Sequence, residues 1–120
     1  MDHNNDNYDF RKRTKAFAVE IIHLYASLPK NTEAQVCGKQ ILRSGTSVAA
    51  NYREAYRARS SAEFISKLGI CLQEADETQL WLELLTDGCN IRTKKIDSLW
   101  KECDELISIM VTWAKKSKEN

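Results

Sequence analysis

The sequence has little proline, little glycine and no excess of charge of either sign. One proline and four glycines stand among 120 residues, too few for the many turns of a β-sandwich or β-barrel. The 18 basic and 17 acidic residues leave a formal net charge of +1. No overall field therefore draws the molecule to nucleic acid or to an anionic membrane. Any electrostatic recognition is expected to be local.

Long apolar runs and leader features are also missing. No stretch approaches the roughly 18 apolar residues of a membrane span, and the opening MDHNNDNYDF is polar and acidic, unlike a signal peptide. The four cysteines, at positions 37, 71, 89 and 103, form no C-x-x-C pair. We interpret them as buried thiols of a cytoplasmic protein, with disulfides as the alternative.

Patterns that carry catalysis are absent as well. Glu20 and His23 form one E-x-x-H pair, whereas a di-iron helical bundle needs two. There is no glycine-rich phosphate loop, no H-E-x-x-H and no nucleophile elbow. We therefore expect no enzyme, no cofactor, no metal and no small-molecule substrate.

Apolar residues recur at alternating spacings of three and four along four segments of the chain. This spacing predicts amphipathic helices. The inward positions are Phe10, Phe17, Ile21, Leu24 and Leu28; then Cys37, Ile41, Ser44, Val48, Asn51, Ala55 and Ala58; then Ile65, Leu68, Leu72, Ala75, Gln79 and Leu82; and last Ile96, Leu99, Cys103, Leu106, Met110 and Trp113. Similar lengths and short connections predict an all-α, up-down-up-down antiparallel four-helix bundle over residues 8–118, after a disordered segment 1–7.

Capping signals set the predicted helix boundaries. They are Asp6, Asn7 or Asp9 for the first helix, Thr32 with Gln35 for the second, Ser60 with Glu63 for the third, and Thr93 for the fourth. Pro29 ends the first helix. Gly88 is predicted as a left-handed C-cap after the third.

The middle of the second helix, SGTSVAANY, is rich in small residues. Serine, glycine and threonine are mediocre helix formers, so tertiary contacts must compensate. Ser44, Gly45 and Ala49 are our candidates for contact with another subunit. The alternative is close packing inside one subunit, around Phe64 or a tryptophan.

Polar residues on the predicted seams require hydrogen-bond partners, because an unpaired buried amide costs about 1–3 kcal/mol. We predict a structural network that fixes register or oligomer number. Its members are Arg43, Ser47, Asn51, Glu54, Glu74 and Thr78.

The net charge of the chain changes sign along the same hairpin. Residues 43–67 hold five basic and two acidic residues, and residues 68–90 hold five acidic and no basic ones. The two halves can pair within a bundle or between subunits.

Arginines and tyrosines alternate at the end of the second helix. Arg53, Arg57 and Arg59, with Tyr52 and Tyr56 interleaved as the residues before Arg53 and Arg57, suit a nucleic-acid surface, because arginine binds phosphate and tyrosine stacks on unpaired bases. The alternative is an ordinary solvated helix surface. A second cationic run, from Arg11 to Lys15, lies near the start of the first helix, where its own dipole disfavours cations.

The segment RSGTSVAANYREAYRARSSAEFISKLGICLQEADETQLWLELL resembles the signature hairpin of the 23S rRNA-intervening sequence protein family, small bacterial four-helix-bundle proteins. The positions that carry the resemblance are Arg43, Ser44, Ser47, Ala50, Asn51, Glu54, Ala55, Arg59, Ser60, Phe64, Glu74, Glu77, Thr78, Trp81 and Leu82. The resemblance implies a ring assembly, with a pentamer best known, a gene often found inside ribosomal RNA insertions, and no catalytic residues.

A related protein type is the accessory variability determinant of diversity-generating retroelements. It shares the pentameric bundle and works with a reverse transcriptase and its RNA, although its members are markedly basic and this chain is nearly neutral. The resemblance thus implies a non-enzymatic homo-oligomer that associates with structured or ribosomal RNA through a basic surface. The alternative is a protein-interaction scaffold or accessory subunit that does not bind nucleic acid directly.

Overall fold

Four amphipathic helices follow one another along the chain. The computed structural model describes the backbone of residues 3–119 and the side chains of residues 8–117. The helices are α1 (His3–Ser27), α2 (Thr32–Tyr56), α3 (Ser61–Asp87) and α4 (Lys94–Glu119). Each packs against two neighbours, in the pairs α1–α2, α2–α3, α3–α4 and α4–α1. The all-α four-helix bundle predicted from the sequence is confirmed.

The start of α1 differs from the prediction. The helix begins at His3, five residues before the predicted boundary at residue 8. Asp6, Asn7 and Asp9 therefore lie within the helix and do not cap it. The predicted disorder of residues 1 and 2 lies outside the described residues.

The α1–α2 connection is capped one residue earlier than predicted. Asn31 is the N-cap of α2, and its side chain accepts a hydrogen bond from the Ala34 N–H at 2.9 Å. Thr32 is instead the first helical residue. Gln35 turns back to the connection, where its Nε2 donates to the Pro29 carbonyl at 2.8 Å. Asn31 is a favourable N-cap because its side-chain oxygen reaches the first free N–H groups of the helix.

The α2–α3 connection is capped as predicted. The Ser60 hydroxyl accepts from the Glu63 N–H at 3.1 Å, and the Glu63 carboxylate accepts from the Arg59 N–H at 3.0 Å. These two bonds satisfy backbone donors on both sides of the cap. The turn is therefore short, and α2 and α3 lie side by side.

The α3–α4 connection contains one cap that was predicted wrongly and one that was predicted correctly. Gly88 has a φ of −101° and is not left-handed. The left-handed residue is Asn90, with a φ of 58°, a conformation that asparagine tolerates. Thr93 caps α4 as predicted and accepts from the Ile96 N–H at 3.2 Å.

The core lies along the bundle axis and contains most of the predicted inward positions. Phe10, Phe17, Ile21, Leu24, Leu28, Ile41, Val48, Leu68, Leu82, Ile96, Cys103, Leu106 and Met110 are all buried. Gln79 was predicted inward but lies at the margin, where its Nε2 donates to Asp104 at 3.0 Å. The amide therefore finds a partner at the surface rather than in the core.

Small residues in α2 allow close packing within the chain. Ser44 and Gly45 are buried, and a Cβ added to Gly45 would lie 2.8 Å from Ile21 Cγ1. Their assignment as subunit contacts is corrected, because their surface is covered by α1 and α3 of the same chain. The neighbour of Gly45 is Ile21, not Phe64 or a tryptophan. Ala49 is half-buried, so its subunit contact stays a prediction.

Candidate nucleic-acid interface

A groove of about 490 Å³ runs between α1 and α2 on the outer side of the bundle. The residues that line it are Arg11, Lys15, Ala49, Ala50, Arg53, Glu54 and Arg57. The methyl side chains of Ala49 and Ala50 leave space between the charged groups. Among the side chains that the structure describes, four cations and one carboxylate thus surround an open groove.

The bundle topology brings these cations together from distant parts of the sequence. Arg11 and Lys15 are four residues apart on α1, and Arg53 and Arg57 are four apart near the end of α2, so each pair shares a helix face. Because α1 and α2 are antiparallel neighbours, the start of α1 lies beside the end of α2. The negative end of the α2 dipole therefore favours the α1 cations that the α1 dipole disfavours.

Arg11 is fixed at one end of this groove by an aromatic ring. Its guanidinium carbon lies 5.3 Å from the centroid of Tyr56, a cation–π distance. The buried Arg11 Nε has no hydrogen-bond partner. The Tyr56 ring also lies 6.2 Å from the ring of Tyr8. Tyr56 is half-buried and holds Arg11 in place, and its stacking on a base stays a prediction.

Tyr52 does not belong to this surface, which corrects the sequence prediction. It is fully buried, with its ring centroid 4.8 Å from that of Phe10 in an edge-to-face contact and 6.2 Å from that of Trp113. Burial raises the pKa of the Tyr52 hydroxyl above its ordinary value. A ring enclosed in the core cannot stack on a nucleotide.

Arg59 lies beyond the groove, in the connection between α2 and α3. Its side chain is exposed, while its backbone N–H is bound to Glu63. Arg53 and Arg57 are also exposed. The three predicted arginines are thus all at the surface, and two of them share a groove with Arg11 and Lys15.

The carboxylate in the groove has a cationic partner on α3. Glu54 Oε1 lies 2.8 Å from Lys67 Nζ. This hydrogen bond raises the pKa of the Lys67 ammonium. Since Glu54 is paired with a group outside the groove, it offsets little of the positive charge inside it. Its predicted place in a network with Asn51 is corrected by this pairing.

The predicted polar network is divided into separate contacts. Arg43 on α2 pairs with two carboxylates on α3, Glu77 at 3.2 Å and Glu74 at 3.5 Å. The basic and acidic halves of the hairpin therefore do pair within one bundle, through Arg43.

Two other network members, Ser47 and Asn51, bond within α2. The Ser47 hydroxyl donates to the Arg43 carbonyl at 2.7 Å, and Asn51 Nδ2 donates to the Ser47 carbonyl at 2.9 Å. Such bonds to the residue four back satisfy polar side chains without a cross-helix partner. Thr78 bonds to Ser44 Oγ at 2.8 Å, so the buried contact between α2 and α3 uses Ser44 where Ser47 was predicted.

The sequence identified Arg53 and Arg57 but did not place Arg11 and Lys15 with them. The sequence did contain a signal for Arg11 and Lys15, because the dipole of α1 disfavours cations near its start and so does not explain their position. Locating them beside α2 required the order of packing around the bundle.

Metal ligands do not cluster in the part of the chain that the structure describes. No group of three or more His, Cys, Asp or Glu side chains there could hold a metal ion. His23 Nδ1 lies 3.3 Å from Glu20, and Glu20 also bonds Lys95 at 2.9 Å. Within residues 3–119, none of the helices has the length and apolar character to cross a membrane.

The chain matches the model of one protein family and is similar to a solved structure. The model of the family described as 23S rRNA-intervening sequence protein matches residues 6–112. A crystal structure of a protein of unknown function from the S23 ribosomal protein family of Bacteroides thetaiotaomicron is 40% identical, with a TM-score of 0.82. That match covers 91% of this chain and 97% of the other. No curated protein matches the chain significantly.

Proposed function

Because this chain belongs to the 23S rRNA-intervening sequence protein family, we propose that it is a non-enzymatic, RNA-associating protein of the cytoplasm that acts through the groove between α1 and α2. The ligand is structured RNA, with ribosomal RNA fragments the first candidates. Arg11, Lys15, Arg53 and Arg57 contact phosphates, and Arg59 extends the basic surface past the end of α2.

One observation carries this proposal, the convergence of four cations on a single groove of a nearly neutral protein. Two come from α1 and two from α2, and the groove's carboxylate, Glu54, is paired with Lys67. Phosphate contacts dominate the affinity of proteins for nucleic acid. A local surplus of cations is therefore what such a protein needs, even without an overall positive charge.

A single groove offers few contacts, so we propose that the protein is a homo-oligomer that repeats it. The pentamer is the state implied by the resemblance. Repetition raises avidity without new contacts at each site. Large apolar side chains that remain exposed support assembly: Val19, Ile22, Val36, Ile70 and Leu80, which are 39–52% exposed.

Salt-dependent binding to RNA tests the groove. Fluorescence anisotropy is measured with a ribosomal RNA hairpin between low and physiological salt, for the wild type and for the double variant Arg53→Ala/Arg57→Ala. We expect the variant to bind more weakly, and its salt slope to fall by about 0.7–0.9 for each lost phosphate contact.

The matched control removes the same charge elsewhere. Lys39→Ala/Lys101→Ala changes two exposed lysines that do not line the groove. It should retain the wild-type affinity and slope. An equal loss of RNA affinity in both double variants would show that binding follows net charge alone. An unchanged salt slope for Arg53→Ala/Arg57→Ala would remove the groove from the proposal.

Light scattering tests the assembly. Ile22 is 49% exposed on α1, and Ile22→Asp places a charge on its apolar surface. We expect a lower oligomer mass for Ile22→Asp, whereas His23→Asp, at the neighbouring exposed position, should keep the wild-type mass. A wild-type monomer would end the oligomer proposal.

A second candidate function is a protein-interaction scaffold or accessory subunit. The exposed apolar side chains favour it, because such residues also mark protein interfaces. The two functions separate in the same experiments. An oligomer that shows no affinity for RNA at low salt would support the scaffold.

A further inference from the structure

Two cysteines from different elements lie side by side. Cys37 is in the second turn of α2, and Cys89 is in the connection between α3 and α4. Their sulfur atoms are 3.9 Å apart, although the residues are separated by 52 positions in the sequence. All four cysteines are free thiols. Only Cys37 and Cys89 are half-buried, since Cys71 and Cys103 are fully enclosed.

The backbone around Cys89 holds this thiol near α2. The N–H groups of Gly88 and Cys89 both donate to the Leu84 carbonyl, at 2.9 and 3.1 Å, and the Ile91 N–H donates to the Leu85 carbonyl at 3.0 Å. Cys89 nevertheless lies outside a helix, so its side chain can adjust. Closing the sulfur–sulfur distance to a bond of about 2.05 Å requires a shift of about 2 Å.

The other two cysteines are fixed elsewhere. The Cys103 thiol donates to the Ala75 carbonyl at 3.1 Å. Cys71 is a fully buried core residue. Their burial denies them access to an oxidant in the folded protein.

We propose that Cys37 and Cys89 are a redox modification site that forms a reversible intramolecular disulfide with a low-molecular-weight disulfide such as oxidised glutathione. One cysteine thiolate attacks the reagent, forms a mixed disulfide and releases one glutathione thiolate. The second cysteine thiolate then attacks the mixed disulfide, closes the protein disulfide and releases the second glutathione. The two cysteines together lose two protons and two electrons, and the reagent is reduced to two thiols.

The reduced pair is the resting state in a reducing compartment. Burial, followed by the hydrogen bond with Cys89, raises the pKa of the Cys37 thiol. Cys37 is therefore protonated at neutral pH, and the thiolate is the reactive form. Oxidation ties the start of α2 to the α3–α4 connection. This inference does not depend on RNA association.

Mass spectrometry of the folded protein tests the proposal. The reduced wild type is incubated with oxidised glutathione at pH 8, and free thiols are then alkylated under denaturing conditions. We expect a monomer that has lost two hydrogens, with two alkylated cysteines. Trypsin should release peptides 31–39 and 68–92 joined by a disulfide. Because peptide 68–92 also contains Cys71, fragment ions must place the crosslink on Cys89 and the alkyl group on Cys71.

Two serine variants provide the controls. Cys37→Ser and Cys89→Ser should each retain a single glutathionyl group, because the second thiol that releases it is gone. The oxidised wild type should melt higher than its reduced form by at least about 5 °C, and reducing agent should reverse the shift. A crosslink that includes Cys71 or Cys103, a disulfide-linked dimer, or a wild type that stops at the glutathionyl adduct would each overturn the proposal. The peptide map of the wild type shows whether Cys37 and Cys89 are joined even if a variant fails to fold.

Discussion

Ile21 fills the space beside Gly45 so closely that a Cβ on the glycine would lie 2.8 Å from Ile21 Cγ1 and 3.0 Å from Cγ2. Both residues are buried. The contact explains a glycine in the middle of α2, where it costs the helix about 1 kcal/mol relative to alanine. The close approach of α1 and α2 offsets that cost.

Gly45→Ala should therefore lower the free energy of unfolding, by about 1–3 kcal/mol, although alanine is the better helix former. The stiff, β-branched Ile21 side chain meets the new methyl group near its own Cβ and has little freedom to turn away. Chemical denaturation followed by circular dichroism measures the change.

Gly69→Ala is the matched control, because a Cβ on Gly69 meets nothing within 4 Å. Gly69 is also in the middle of a helix, so the gain in helix propensity should appear alone, as a stabilisation of about 0.5–1 kcal/mol. Two stabilised variants would show that α1 and α2 do not pack tightly at Gly45.

A second prediction concerns the buried hydroxyl pair between α2 and α3. Ser44 Oγ donates to the Gln40 carbonyl at 2.8 Å, while Thr78 Oγ1 lies 2.8 Å from Ser44 Oγ and 2.7 Å from the Glu74 carbonyl. Each hydroxyl keeps a backbone acceptor if the other is removed. Ser44→Ala and Thr78→Val should each cost about 1 kcal/mol.

The double variant Ser44→Ala/Thr78→Val should cost less than the sum of the two single changes, by about 0.5–1 kcal/mol, because the shared hydrogen bond is lost only once. Denaturant titrations of the wild type and three variants complete the cycle. Strict additivity would mean that the two hydroxyls contribute independently.

A third prediction is a loss of stability at alkaline pH through Cys103. Burial raises the pKa of this thiol from 9.0 to about 12, because the charged thiolate is poorly solvated in the core. The contribution of the protonated Cys103 thiol to the free energy of unfolding is fully present below pH 9. It is lost between pH 9 and 12, where the unfolded chain releases a proton that the folded protein retains.

Cys103→Ser removes this titration and keeps a donor for the Ala75 carbonyl. The wild type should lose stability faster than the variant above pH 9, by about 1 kcal/mol per pH unit. Cys71 is present in both proteins, so its own titration cancels in the comparison. Parallel stability curves between pH 8 and 10.5 would contradict the assignment.

The bundle could be predicted because each helix carries its inward residues at regular spacing. Leu99, Leu106 and Met110 are buried where the spacing placed them. The capping box predicted at Ser60 was confirmed. The capping box at Thr32 and the left-handed C-cap at Gly88 were wrong, because Asn31 caps α2 and the left-handed residue is Asn90.

The groove could be predicted only in part, because periodicity identifies the inner face of a helix but not its neighbours. The spacing placed Asn51 on the inward seam and left its neighbour Tyr52 for the outer surface, which was wrong for Tyr52. The structure buries the ring against Phe10. Likewise, Arg11 and Arg13 are only two positions apart in the sequence, yet Arg11 contacts α2 and Arg13 contacts α4.

This divergence of two arginines gives the last prediction. Arg13 is bound to α4, with Nε 2.7 Å and Nη2 2.8 Å from the Glu102 carboxylate and Nη2 2.8 Å from Glu105. The hydrogen bond to Glu102 is the main cause of its raised pKa. Arg11 and Lys15 line the groove instead. Arg13 is therefore a structural cation, whereas Arg11 and Lys15, on the same short run of α1, are available to a ligand.

Arg13→Ala should lower the free energy of unfolding by about 1–2 kcal/mol, since a bidentate, charge-assisted contact is lost, and it should leave the salt slope of RNA binding unchanged. Arg11→Ala/Lys15→Ala should do the reverse: its salt slope should fall by about 0.7–0.9 per phosphate contact, with a smaller change in stability. Denaturation and anisotropy on the same preparations measure both quantities. If Arg13→Ala weakened RNA binding as much as the double variant, the cations of α1 would act as a diffuse charge, and the groove between α1 and α2 would have no special part in recognition.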